Sequence, residues 1–152
     1  MFFSGTFLER VVAADLNNDG WADIAVTATI SIPFSHVVSI SLSNGDGTFA
    51  APNNISVSAQ PYDLIAKDLN NDGKMDLVIG GNQFGFLPQF ERLDASLGDV
   101  LLNNGNGRFT WQDASRTGLK LRGEMRDIAE INSGGKKLLL FLQNNEYPVL
   151  FR

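Results

Sequence analysis

The sequence predicts an all-β fold of repeated four-stranded antiparallel units, and three features lead there together. A nine-residue pattern occurs twice, Asp15-Leu16-Asn17-Asn18-Asp19-Gly20-Trp21-Ala22-Asp23 and Asp68-Leu69-Asn70-Asn71-Asp72-Gly73-Lys74-Met75-Asp76, at an offset of 53 (68 − 15). A glycine-rich turn also occurs twice, Gly45-Asp46-Gly47 and Gly105-Asn106-Gly107, at an offset of 60 (105 − 45). Between these marks lie short runs rich in Val, Ile, Leu and Thr, the composition of strands.

Taken in chain order, Gly5-Thr6-Phe7 copies Gly47-Thr48-Phe49. Residues 1–9 are therefore expected to be the last strand of a preceding or closing unit. The first complete unit covers residues 10–61. Val11-Val12-Ala13-Ala14 is short and apolar, and Asp23-Ile24-Ala25-Val26-Thr27-Ala28-Thr29 is β-branched and aliphatic, so the first nine-residue pattern joins two antiparallel strands. In the third strand Val38, Ile40 and Leu42 alternate with Ser39, Ser41 and Ser43, which predicts one buried and one wetter face. The second unit, residues 62–116, repeats this order with a longer insertion before Val100-Leu101-Leu102. A third unit, residues 117–152, keeps the strands Met125-Arg126-Asp127-Ile128-Ala129, Lys137-Leu138-Leu139-Leu140-Phe141-Leu142 and Val149-Leu150-Phe151 but has lost the loop pattern. Four-stranded repeats of this length predict β-propeller blades, about two full and one split or incomplete, which is fewer than a ring needs. The chain is thus expected to be part of a larger propeller, or to associate with copies of itself.

Each nine-residue pattern offers oxygen ligands at positions one, three, five and nine, with a Gly at six where the backbone must curl. That chemistry suits a hard divalent cation, and two calcium sites are expected. The first takes Asp15, Asn17, Asp19, Asp23 and the carbonyl of Trp21; the second takes Asp68, Asn70, Asp72, Asp76 and the carbonyl of Lys74. An EF-hand is disfavoured because position twelve, a bidentate Glu in that loop, is Val26 here in one copy and Ile79 in the other. The plainer reading is that Asn-Asp-Gly supplies turn residues alone. Such a turn needs two special residues, whereas three carboxylates in each copy create repulsion that a divalent ion relieves.

The loops and turns resemble the FG-GAP or VCBS repeats of integrin α-subunit propellers and of many exported or surface-attached bacterial proteins. Phe49-Ala50-Ala51-Pro52 only approximates the Phe-Gly-Gly-Ala-Pro mark, which brings the bacterial VCBS type closer, and residues 117–152 look like the closing blade of such proteins. The resemblance implies a C-terminal portion of a secreted or cell-surface propeller, structural calcium, and adhesion or binding of an extracellular protein or carbohydrate. It also implies that the calcium hairpins lie on one face and partner-binding loops on the other. Two loops qualify there, residues 30–36 and residues 81–98. The second exposes Phe84, Phe86 and Phe90 among polar residues, either as a docking surface or as a satellite core over its own blade.

Composition narrows the remaining classes. A net charge of −5 argues against a nucleic-acid surface, which needs clustered Lys and Arg. No run of apolar residues reaches the length of a membrane span, and Met1-Phe2-Phe3 does not open a secretory signal, so export would require a missing upstream portion. Absence of Cys fits an exported protein that relies on metal rather than disulfides, and equally a cytosolic one. His36 is the only His and no nucleophile motif accompanies it, so an enzyme is not expected; Glu91, Asp94 and Asp99 are unplaced acids. The alternatives are the non-catalytic part of a calcium-dependent carbohydrate-active enzyme and a purely architectural repeat. Asn54-Ile55-Ser56 fits an N-glycosylation acceptor.

Overall fold

The computed structural model describes residues 7–31, 33–58, 60–81, 98–112, 114–121, 123–144 and 146–151. Its strands form three antiparallel sheets in sequence order. The first holds β1 (Phe7–Ala14), β2 (Asp23–Ser31), β3 (Phe34–Ser41) and β4 (Asn53–Ser56), and the second holds β5 (Pro61–Lys67), β6 (Asp76–Gly81), β7 (Asp99–Gly105) and β8 (Arg108–Gln112). One helical turn, α1 (Ala114–Thr117), leads to the third sheet of β9 (Glu124–Ser133), β10 (Lys136–Asn144) and β11 (Val149–Phe151). Consecutive strands are neighbours throughout, the up-and-down order of a propeller blade, and no sheet closes on itself.

The sheets stack face to face, and strand alternation explains how. In β6, Leu77 and Ile79 point into a core shared with Leu16 of the β1–β2 loop and with Ala25, Val38 and Ile40 of the first sheet, while Val78 between them faces Met125, Ile128, Leu139 and Phe141 of the third. Leu101 and Val100 of β7 divide in the same way. A period of two thus sends neighbouring residues into different cores, and every position of β6 is buried. The same enclosure corrects the expectation of a wetter face on β3. Ser39 and Ser41 are buried there beside Val38 and Ile40, and the Ser39 hydroxyl donates to the Asn54 side chain on β4.

Two further expectations change. Phe7 and Leu8 pair with Thr29 and Ala28, so residues 7–9 belong to the first, edge strand of the first sheet and do not close another blade; residues 1–6 lie outside the described residues. The register slips between Leu8 and Val11, and this bulge lets Phe7 and Leu8 continue the ladder. Residues 30–36 are not an open binding loop either. The β2–β3 ladder runs out to Ser31 against Phe34. Phe84, Phe86 and Phe90 lie outside the described residues.

The edge strands β1, β5 and β9, the first of each sheet, gather at one side of the stack, where Arg10 ties all three sheets. Its Nε meets Asp63 Oδ1 at 2.7 Å and its Nη2 meets Asp127 Oδ1 at 3.2 Å. Asp63 is buried and also accepts the amides of Leu64 and Ile128.

Candidate metal loops

Both nine-residue loops adopt one conformation, built from the same hydrogen bonds. The carboxylate at position one folds over the turn: Asp15 accepts the amides of Asp19 at 3.1 Å and Gly20 at 2.8 Å. Asp68 accepts those of Asp72 at 3.1 Å and Gly73 at 3.0 Å. The amide oxygen at position three, Asn17 or Asn70, accepts the position-five amide at 3.0 Å in each loop. The position-five carboxylate accepts the amide at position seven, Trp21 to Asp19 at 2.8 Å and Lys74 to Asp72 at 2.9 Å. Gly20 and Gly73 stand at φ +89° and +83°, and Asn18 and Asn71 at +63° and +58°, the left-handed conformations this curl requires. Asn18 also reaches across to the carbonyl of Gly73 at 3.0 Å, joining the loops directly.

Position two anchors each loop from below. Leu16 is fully buried in the core between the first and second sheets, and Leu69 packs against the core between the second and third. Position nine latches each loop from the side. Asp23 accepts the amides of Leu16 at 2.8 Å and Ser43 at 2.7 Å; Asp76 accepts those of Leu69 at 3.0 Å and Asn103 at 2.8 Å. Both carboxylates have 0% exposure. The partners Ser43 and Asn103 begin the glycine-rich turns, which explains why loop and turn occur together in each unit. Asn103 adds a link between sheets, donating from Nδ2 to the carbonyls of Leu16 at 2.8 Å and Met75 at 3.0 Å.

The side chain at position seven of each loop lies over the first glycine of the turn, closely at Gly45 and at ordinary contact distance at Gly105. A Cβ on Gly45 would sit 3.0 Å from the Trp21 ring, and one on Gly105 would sit 3.6 Å from Cε of Lys74. At position seven the loops differ chemically. Trp21 is apolar and 55% exposed, whereas Lys74 extends its Nζ to Asp72 Oδ2 at 2.8 Å.

The loop environments set the acidities. Amide donation from Gly20 above all holds the Asp15 carboxyl below the usual range, and the Lys74 ammonium does the same for Asp72. Burial pushes Asp76 up against its two amide donors. The donor set of each loop, carboxylates with an amide oxygen and a carbonyl, is hard oxygen throughout and fits calcium. Among the described residues no three acidic or imidazole side chains converge on a point. The loop carboxylates accept backbone amides, and Asp15, Asn17, Asp19 and Asp23 in the first loop, with their counterparts in the second, are the side chains that would hold an ion.

Asp99, outside the loops, is engaged structurally. Asp99 accepts the Ser58 amide at 3.0 Å, its hydroxyl at 2.7 Å and the Trp111 indole at 2.6 Å. Glu91 and Asp94 lie outside the described residues. Sequence reading missed Arg10 and Asp63, although both stand five residues before a loop (15 − 5 and 68 − 5), each a charge inside a strand. His36 bonds through Nδ1 with Thr29 Oγ1 at 3.1 Å and meets Phe34 edge-on, and no acid partners it in these contacts.

Residues 15–79 match the FG-GAP-like repeat family, a segment that contains both loops. The phosphatidylinositol-glycan-specific phospholipases D of Bos taurus and Homo sapiens are each 26% identical to this chain. The alignments cover 78% and 84% of it and 17% and 21% of them, so the chain spans about a fifth of the length of these relatives. No solved structure matches the chain. An FG-GAP-like repeat is thus present here, on a fold of propeller-type blades, and among the described residues no helix is long and apolar enough to cross a membrane.

Proposed function

We propose that this chain is a calcium-stabilised set of propeller blades from an extracellular-type protein, serving as a binding or adhesion module for a protein or carbohydrate. The observation that supports this most directly is the identity of the two loops. The same oxygen donors, the same positive-φ residues and the same anchoring Leu and Asp recur on successive blades, and they exceed what a turn needs. In this reading Asp15, Asn17, Asp19 and Asp23, with the Trp21 carbonyl, hold one ion; Asp68, Asn70, Asp72 and Asp76, with the Lys74 carbonyl, hold the other. Calcium here supplies charge compensation and rigidity, taking the formal charge from −5 to about −1 (−5 + 4). An exported bacterial protein of the VCBS type is the setting that the sequence resemblance suggests.

Because calcium binds the folded loops, it stabilises by mass action, about 2.7 kcal/mol per site at a hundredfold excess over Kd. The melting temperature of the chain should therefore rise by several degrees in millimolar calcium and fall back with chelator. Superimposable melts in the two conditions would end this reading.

A second reading rests on the relatives, which are named as phospholipases and are about five times longer than this chain. In that case the blades are a non-catalytic, architectural part of a larger enzyme. Glycan-array or protein-array binding by the isolated chain favours the first reading; binding to none of them, with calcium stabilisation retained, favours the second.

A further inference from the structure

The two loops share a backbone and differ in charge. In the first, Asp15, Asp19 and Asp23 are flanked by Ala14 and Trp21, and no cation belongs to the loop. In the second, Lys74 stands at position seven, and its Nζ lies 2.8 Å from Asp72 Oδ2. The contact is supported from two sides. The aliphatic stem of Lys74 rests over Gly105, where a Cβ would be 3.6 Å from Cε, and the Lys74 amide donates to the other oxygen of the same carboxylate at 2.9 Å. Both side chains are about one-third exposed, which keeps the attraction from being fully screened. Lys67, Lys136 and Lys137 share a cavity with Asp68 and Asn71 of this loop, Lys67 and Lys137 being engaged by Glu130, and Lys74 is the cation in contact with Asp72.

Resting on the calcium reading above, we infer that the loops are unequal sites: the first takes calcium first, and the second carries its own occupant, the Lys74 ammonium, which the ion must displace from Asp72. A cation held on one ligand opposes a second cation in the same place and removes one of the charges that attract it. The formal charge contributed by the loop residues is −3 in the first and −2 in the second, counting three Asp in each and Lys74 in the latter.

Calcium titration of the full chain by calorimetry, with tryptophan emission followed in parallel, tests this. Two steps are expected, separated by about tenfold or more in Kd. The tight step should carry an emission change that is lost in Trp21→Phe, and Asp19→Asn should abolish it, while Asp72→Asn should abolish the weak step. Lys74→Met, or Lys74→Gln if the first does not fold, should tighten the weak step about fivefold or more and leave the tight one unchanged. Equal affinities in the wild type, loss of the weak step in Asp19→Asn, or no tightening in a folded Lys74 variant would overturn the inference while leaving calcium binding intact. No heat and no emission change in any variant would overturn the calcium reading itself.

Discussion

At Asp23 both carboxylate oxygens accept backbone amides in a fully buried setting, whereas Asp19 is exposed and bonded within its own loop. Two residues of one pattern thus serve different ends, and mutation should separate them. Asp23→Asn places an amide NH2 against one buried N–H and should cost about 1.5–3 kcal/mol even without calcium. Asp19→Asn should leave the calcium-free melt nearly unchanged and remove more than half of the calcium-induced rise, since it abolishes the tighter site; paired thermal melts with ion and with chelator read both. His36 makes a second point at this scale. Burial lowers its pKa below 6.5, so the unfolded chain binds a proton first. Stability from the neutral ring is present above 6.5 and is lost as pH falls from there through the folded value. In Tm measured from pH 8 to 5, His36→Gln should show a shallower acid slope than wild type across that interval.

At the level of elements, each loop is a lid pinned by a Leu below and an Asp at the side. Leu16→Ala empties a fully buried site in the core between the first two sheets and should cost about 2–5 kcal/mol. It should also weaken calcium binding at that loop, since the anchor and the ligands share nine residues. Equilibrium denaturation combined with a calcium titration checks both effects. The existence of the loops, and the strands on either side, were legible in the sequence because their determinants are local: turn glycines, positive-φ asparagines and alternating apolar residues lie within a few positions of one another. Residues 30–36 were misread because Pro33 and the flanking Ser residues suggest an open loop, whereas strand pairing extends to Ser31 and Phe34.

Across the whole molecule, the sheets cohere through two apolar cores and one charged clasp. Arg10 is half exposed while Asp63 is buried, and burial raises the Asp63 pKa despite the guanidinium beside it. Arg10→Met should leave that carboxylate uncompensated and cost about 1–3 kcal/mol at pH 7, less than a fully buried pair because the guanidinium remains half in water. The sign with pH follows from the raised pKa. The folded state holds the proton more tightly than the unfolded one, so acidification towards pH 4 relieves the cost, and the gap in Tm between variant and wild type should narrow. A gap that widens on acidification would mean that Arg10 acts through something other than Asp63. None of this clasp was read from the sequence, although the charge in each strand was visible, because Arg10 and Asp127 are 117 residues apart (127 − 10).

The amino-acid sequence by itself determined the all-β class, the order of strands in each blade, the two oxygen-rich loops and their pairing with the glycine-rich turns. Each of these is set by the spacing of residues that meet within one hairpin. Only the tertiary structure decided which acids are exposed and which are latched, that residues 37–41 of β3 and every position of β6 are buried, and that Phe7 and Leu8 pair with β2. Burial and charge pairing are properties of surfaces brought together from distant parts of the chain, and one carboxylate in a repeated pattern becomes a ligand candidate or a structural pin according to the sheet packed against it.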